Sequence, residues 1–301
     1  VNDASRAVTV AGNLLDHNRK IYAADIRAEY DAFRETFLNR SRDKNFLSIE
    51  DARKNKLQLD WDNFTPVQPK VIGKQIVEVD LETLVPYIDW TPFFSTWELH
   101  GKYPNILEDK VVGTEAKKLF ADANALLDKI IAEKWLTAKG VIGFWEAASN
   151  HDDVEVRTKN EKVQLSFHRQ QIKKAPGQPN LSLADFISPT TANKKDHIGA
   201  FAVSIHGIEP HLEKFEAAHD DYNKIMLQAL ADRFAEAFAE ALHLHTRKEY
   251  WGYDAQEQLS PEELIKEQYK GIRPAPGYPA CPDHTEKYKL FDLLSAQDNA
   301  G

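Results

Sequence analysis

The sequence predicts an α+β fold, and two observations carry that reading. Amphipathic helical patterns occupy the first and last thirds of the chain, while short β-branched and aromatic runs cluster in the middle. Strands gathered between helical blocks, rather than alternating with helices one by one, are the mark of α+β rather than α/β architecture. A length of 301 residues fits one large domain or two medium ones.

The elements follow in order. Residues 18–40 read as a helix, with Ile21, Ile26, Tyr30, Phe33 and Phe37 spaced for one face. Residues 41–80 are polar and contain prolines, and are expected to wrap the surface. A short helix over 81–87 leads into the aromatic stretch Trp90, Phe93, Phe94 and Trp97. Residues 115–134 form a stronger helix, because Leu119, Phe120, Ala123, Leu126, Leu127 and Ile130 recur at helical spacing. Val141–Trp145, Val154–Val156, Val163–Phe167 and Ile198–Ile205 are bounded by Gly, Asn and Asp and read as strands. A long helix then covers about 221–250, burying Leu230, Phe234, Phe238 and Ala241. Ser260-Pro261-Glu262-Glu263 is a helix start: Ser as the cap, Pro at the first position and Glu three residues after the cap. A last helix begins near Thr285.

Composition narrows the function. Hydrophobic content of 42% and charged content of 28% are ordinary for a globular chain. No run approaches the roughly 20 apolar residues that span a bilayer, so no membrane role is expected. The start, VNDASRAVTV, lacks a secretory pattern, and the single cysteine, Cys281, excludes an intramolecular disulfide. Together these point to the cytoplasm. A formal net charge of −9 argues against nucleic acid as a partner and slightly favours a cationic ligand.

The stretch GIRPAPGYPACPDHTEK at 271–287 is the most informative in the chain. Pro274, Pro276 and Pro279 restrict the backbone, and Gly277 opens conformations closed to other residues. The result is a stiff, irregular loop carrying Arg273 and Tyr278. A guanidinium offers a planar fork of donors for a carboxylate or phosphate, and a phenol offers a flat ring with a polar tip. Such a loop either holds a ligand or is a structural crossover, its Arg capping a helix and its Tyr filling a core.

RPAPGYPACPDHTEK resembles the S-adenosylmethionine-binding loop of the reactivation domain of cobalamin-dependent methionine synthase. VNDASRAV at 1–8, YIDWTPFFSTWELHGKYPNILED at 87–109, GVIGFWEA at 140–147 and HDDYNKIMLQALADRFAEAFAE at 219–240 resemble the same domain, in order along the chain. The resemblance implies a single domain with a twisted antiparallel sheet and helices packed around it. The family continues beyond the position of Gly301 with a segment that completes the sheet and the adenine pocket, so the chain is expected to be truncated at its C-terminal end.

The resemblance also assigns residues. It implies that Asp89 contacts S-adenosylmethionine, that Arg273 binds the carboxylate of the methionine moiety and that Tyr278 packs along the ligand and helps orient the methyl group. Backbone groups of the loop, at Ala275 and Gly277 among others, would face the adenine or ribose. Glu236 and Glu267 match acidic residues near the family's site. From the residues alone, Asp89 reads equally as a helix N-cap before Pro92. Glu236 shares a face with Asp232, Arg233 and Glu240 that reads as a solvated stripe, and Glu267 lies in a charged helix.

A metal site in this chain, zinc included, is not expected: His243 and His245 are two apart, whereas zinc helices use an i, i+4 pair. No GxGxxG, P-loop or GxSxG motif occurs. By resemblance, the chain presents S-adenosylmethionine for reductive methylation of inactive cob(II)alamin to methylcobalamin. Its partners would be the cobalamin-binding domain of the same enzyme and flavodoxin or a flavoprotein reductase. Catalytic acids or bases are not required of it, and the isolated chain is not expected to turn over. The competing hypothesis is a docking module that contacts partner domains without binding a small ligand.

Overall fold

The computed structural model describes residues 4–17, 19–42 and 45–301. The chain divides into two compact units, residues 1–56 with 170–180, and residues 57–169 with 181–301. The smaller unit holds α1 (Ala4–Leu15), α2 (Arg19–Arg42) and α3 (Ile49–Lys54). Of the first matching motif, residues 1–3 lie outside the described residues, as does residue 18 at the start of the expected helix. The helix expected over 18–40 forms as α2. Its apolar side chains do not make a core face: Ile21, Tyr30, Phe33 and Phe37 are all exposed. α3 is capped by Ser48, whose hydroxyl accepts from the Asp51 amide at 3.1 Å. Asn180 ties the segment 170–180 to this unit, receiving a hydrogen bond from the Asn55 side-chain amide at 2.7 Å.

The larger unit holds β1 (Gly73–Val79), α4 (Leu81–Leu84), α5 (Trp90–Thr96), α6 (Gly113–Ala132), β2 (Thr137–Asn150), β3 (Asp153–Arg157), β4 (Lys162–Ser166) and β5 (Asp196–His206). It continues with α7 (Glu209–Ala217), α8 (Asp221–His245), a π turn over Thr246–Tyr250, α9 (Pro261–Ile265), α10 (Glu286–Leu294) and α11 (Ala296–Asn299). The five strands form one sheet in which every pairing is antiparallel. β2 is its spine. β5 pairs along Thr137–Ala147, while β1 pairs with Ala138–Phe144 and β3 with Glu146–Asn150. β4 closes the order beyond β3. The fold class is therefore the α+β arrangement expected.

Alternation along β2 separates two cores. Ala138, Ile142 and Phe144 join Leu119, Leu126, Ile130, Leu230, Phe234 and Phe238 of α6 and α8. Val141, Trp145 and Ala147 face the other side, with Val154, Val156, Leu165, Leu293 and Leu294. A Cβ at Gly140 would sit 3.0 Å from the Phe238 ring, so the bare backbone there lets α8 lie directly on the sheet. Segment 41–80 departs from expectation, for it contains α3 and the strand β1. Inward-facing positions of β1 include Gln75 beside Val77 and Val79, while Ile76 points to water. An edge strand patterned this weakly is specified by its neighbour rather than by its own periodicity.

Among the described residues no helix is long and apolar enough to cross a membrane.

Candidate functional site

The loop from Gly271 is stiff because it bonds to itself as well as containing four prolines. The Ala275 carbonyl accepts from the Tyr278 amide at 3.0 Å and from the Cys281 thiol at 3.2 Å. The Gly277 amide donates to the Cys281 carbonyl at 2.8 Å, and the Cys281 amide donates back to Tyr278 at 2.9 Å. Gly277 has a φ of +112°, and a Cβ there would lie 2.3 Å from the His284 ring. Only glycine meets both conditions. The buried Cys281 anchors the loop in the second core, and burial raises its thiol pKa. The Tyr278 side chain stays outside and is more than half exposed.

Arg273 points the other way, toward α8. Its Nη2 donates to Oε2 of Glu240 at 2.8 Å, with the Arg side chain 23% and the Glu side chain 10% exposed. The solvated stripe read for α8 is thus broken at Glu240, which is buried. Glu236, one turn earlier, is exposed. Around the pair sits a larger polar cluster. Arg247, in the π turn, donates from Nε and Nη2 to both oxygens of Glu257 at 2.6 and 2.7 Å. The Arg247 guanidinium also lies 4.2 Å over the Tyr269 ring. Tyr269 in turn meets His243 edge-on at 4.8 Å and lies within reach of the Arg273 guanidinium.

Four atoms of this cluster are buried without a hydrogen-bond partner among the described residues: Glu240 Oε1, His243 Nδ1, Arg247 Nη1 and Arg273 Nε. Buried polar groups are normally paired, so such a concentration sets this cluster apart from the rest of the core. Electrostatics follow from burial. Burial raises the Glu240 carboxyl pKa, while Arg273 and Arg247 pull it back down and Glu267 adds to the rise. Burial, with Arg247 and Arg273 alongside, holds His243 down to about 3, so its ring is neutral. Glu267 is exposed and sits at φ +54° just beyond α9.

Asp89 caps α5. Its Oδ1 accepts from the Thr91 amide at 2.9 Å, the N-cap arrangement that the residues alone suggested. Oδ2 makes no hydrogen bond among the described residues, and no hydrogen bond or ion pair joins Asp89 to Arg273. Among the sequence-selected residues, then, the structure brings Arg273 and Glu267 to one cluster. Glu236 lies one turn away, Asp89 stands at the start of a different helix, and Ala275, Gly277 and Tyr278 form the outer turn of the loop. Sequence reasoning missed Glu240, His243, Arg247, Glu257 and Tyr269. A faint signal existed for Glu240: it is flanked by Ala237 and Ala241 on a helix whose small and apolar residues leave few positions for solvent.

No group of three or more His, Cys, Asp or Glu residues among the described residues is arranged to hold a metal ion.

Comparison with known proteins adds to this geometry. A solved structure described as the MetH reactivation domain bound to AdoHcy is 52% identical in sequence. The match has a TM-score of 0.80 and covers 85% of this chain and 80% of that one. Residues 80–301, which include α5, the whole of α8 and the Arg273 loop, match the family described as vitamin B12 dependent methionine synthase, activation domain. The motifs at 87–109, 140–147, 219–240 and 273–287 all fall inside that span, and on them and the shared fold the chain belongs to the activation domain family of vitamin B12-dependent methionine synthase.

Proposed function

We propose that this reactivation domain binds S-adenosylmethionine along the Arg273 loop and presents its methyl group to cobalamin held by another domain of the same enzyme. The observation that carries the proposal is Arg273: a guanidinium held on a self-bonded loop, close to the surface, in a chain 52% identical to a domain solved with AdoHcy. The residues present suit the ligand. Arg273 supplies the planar donor fork for a carboxylate, and Asp89, Glu236 and Glu267 supply acidic groups for an ammonium or sulfonium. Tyr278 offers an exposed ring beside the loop, and Ala275 and Gly277 shape the turn that carries it.

S-adenosylmethionine when bound supplies a methyl group already activated on sulfur. The chain's own residues therefore need neither accept nor donate a proton; their work is to bind and orient. Orientation alone contributes several kcal/mol to a reaction between held partners, on the order of 7 or more in the best cases. On this reading the electron comes from flavodoxin or a flavoprotein reductase, the isolated chain does not turn over, and the enzyme works in the cytoplasm. Calorimetric titration of the chain with S-adenosylmethionine tests the reading, together with its melting temperature at saturating ligand. A ligand bound only by the folded state must raise that temperature. No heat of binding and no shift would sink it in favour of a docking module.

A further inference from the structure

Glu240 has no part in the reading above, yet it makes the sole ion pair of Arg273 among the described residues. The two ends of that pair differ in kind. Glu240 stands on α8, a 25-residue helix packed on the sheet, and its side chain is nine-tenths buried. Arg273 stands on a loop and keeps 23% of its side chain exposed. A long Arg side chain on a loop samples many rotamers, and a carboxylate fixed to a rigid helix selects among them. Glu240 grips Nη2, and Nε is buried with no partner among the described residues, so Glu240 holds one corner of the fork rather than a whole edge; Tyr269 lies within reach of the same guanidinium.

We infer that Glu240 is a positioning residue of this site, fixing the Arg273 guanidinium from α8 so that its remaining donors meet the carboxylate of the ligand. This rests on the reading of Arg273 as the carboxylate's partner. An opposite effect exists, since a carboxylate behind Arg273 also dilutes its positive charge. That effect acts across a partly exposed side chain and is screened by water, whereas loss of alignment is not screened. Orientation is therefore expected to win. Neighbouring groups leave the pair intact: His243 is neutral and does not compete with Arg273 for Glu240, and Arg247 is already engaged by Glu257.

The test uses the full chain and two ligands, S-adenosylmethionine and its decarboxylated analogue, which keeps the adenosine, sulfonium and amine. The parent chain should prefer the carboxylate-bearing ligand by about tenfold or more, the size of one charge-assisted hydrogen bond. Glu240→Ala should remove most of that preference by weakening S-adenosylmethionine alone. Glu240→Gln should keep most of it, because the amide oxygen still accepts from Nη2. Glu240→Asp keeps the charge but withdraws it by one methylene, and should lose the preference as Glu240→Ala does; it carries the test if Glu240→Ala fails to fold. Equal weakening of both ligands by Glu240→Ala and Glu240→Asp would reduce Glu240 to a structural role and overturn the inference. Tighter binding of S-adenosylmethionine by both Glu240→Ala and Glu240→Gln would overturn it too, by making Glu240 an internal competitor. A parent chain with no preference between the ligands would instead refute the role of Arg273, and the inference would fall with it.

Discussion

Arg247 and Glu257 face each other through two parallel hydrogen bonds of 2.6 and 2.7 Å, with side chains 0% and 2% exposed. The bridge joins the π turn after α8 to the segment that precedes α9. Tyr269 stacks on the Arg247 guanidinium at 4.2 Å, so the bridge also holds that ring in the cluster. The cluster beside the Arg273 loop thus rests on a fully buried ion pair.

Breaking this bridge from one side should be costly. Glu257→Ala leaves the Arg247 charge buried without a counter-ion, a situation that costs about 3–5 kcal/mol. The double variant Arg247→Met with Glu257→Leu removes both charges and should recover most of the loss. Urea unfolding of the three chains measures this. A Glu257→Ala chain as stable as the parent would mean that the cluster rearranges around the exposed charge.

His243 makes stability depend on pH. Its pKa is lowered in the fold to about 3, chiefly by burial and then by Arg247 and Arg273, against an ordinary value of 6.5. The unfolded chain therefore binds a proton between those two values that the folded chain refuses. Stability from this group is fully present above about pH 6.5 and is lost as pH falls toward 3. The full effect is on the order of a few kcal/mol. His243→Gln should flatten the fall in stability between pH 6.5 and 4.5. An unchanged slope for the variant would show that His243 is protonated in the fold.

Elements with strong periodicity were legible in the sequence, and for a physical reason. α6 and α8 bury one broad apolar face each, and Leu119, Ile130, Leu230 and Phe234 are found where the spacing put them. β1 was not legible, because its partner β2 specifies it and its own alternation is broken at Gln75 and Ile76. The flanks of β2 were missed because Glu146-Ala147-Ala148-Ser149 carries little β propensity and is held by pairing with β3, and with β5 as far as Ala147. At the site, Arg273 was legible from the proline-rich loop. Glu240 was not, because a lone Glu among charged neighbours on a helix reads as solvated until the loop that covers it is placed. Arg247, Glu257 and Tyr269 meet across ten or more positions each, and no local spacing announces such a meeting.

Asp89 has one observed role, the cap of α5, and one proposed role, contact with the ligand, and the two are separable. Asn caps a helix as well as Asp does, whereas Ala does not. Asp89→Asn should keep the melting temperature and weaken S-adenosylmethionine if the negative charge matters to the ligand. Asp89→Ala should in addition cost about 1 kcal/mol of stability. Comparing melting curves and binding isotherms of the two variants decides the matter. Full affinity in Asp89→Asn would leave Asp89 as the cap of α5 and nothing more.

Arg273→Lys probes the centre of the site. Replacing an Arg in an open groove leaves stability alone, and replacing a buried Arg that caps backbone carbonyls leaves binding alone. The structure shows neither, because Arg273 pairs with the buried Glu240 while keeping 23% of its side chain in water. Lys keeps a charge for Glu240 but loses the fork, so it cannot hold Glu240 at one corner and a ligand carboxylate at another. The melting temperature should fall modestly. S-adenosylmethionine should bind about tenfold more weakly or worse, given that charge-assisted contacts contribute about 1.5–3 kcal/mol and each decade is about 1.4. Arg273→Ala should do both harms more severely, since Glu240 then lies buried without a partner. Calorimetry and thermal unfolding on the same preparations give both quantities. A lower melting temperature with an unchanged dissociation constant would assign Arg273 to the fold and remove it from the ligand.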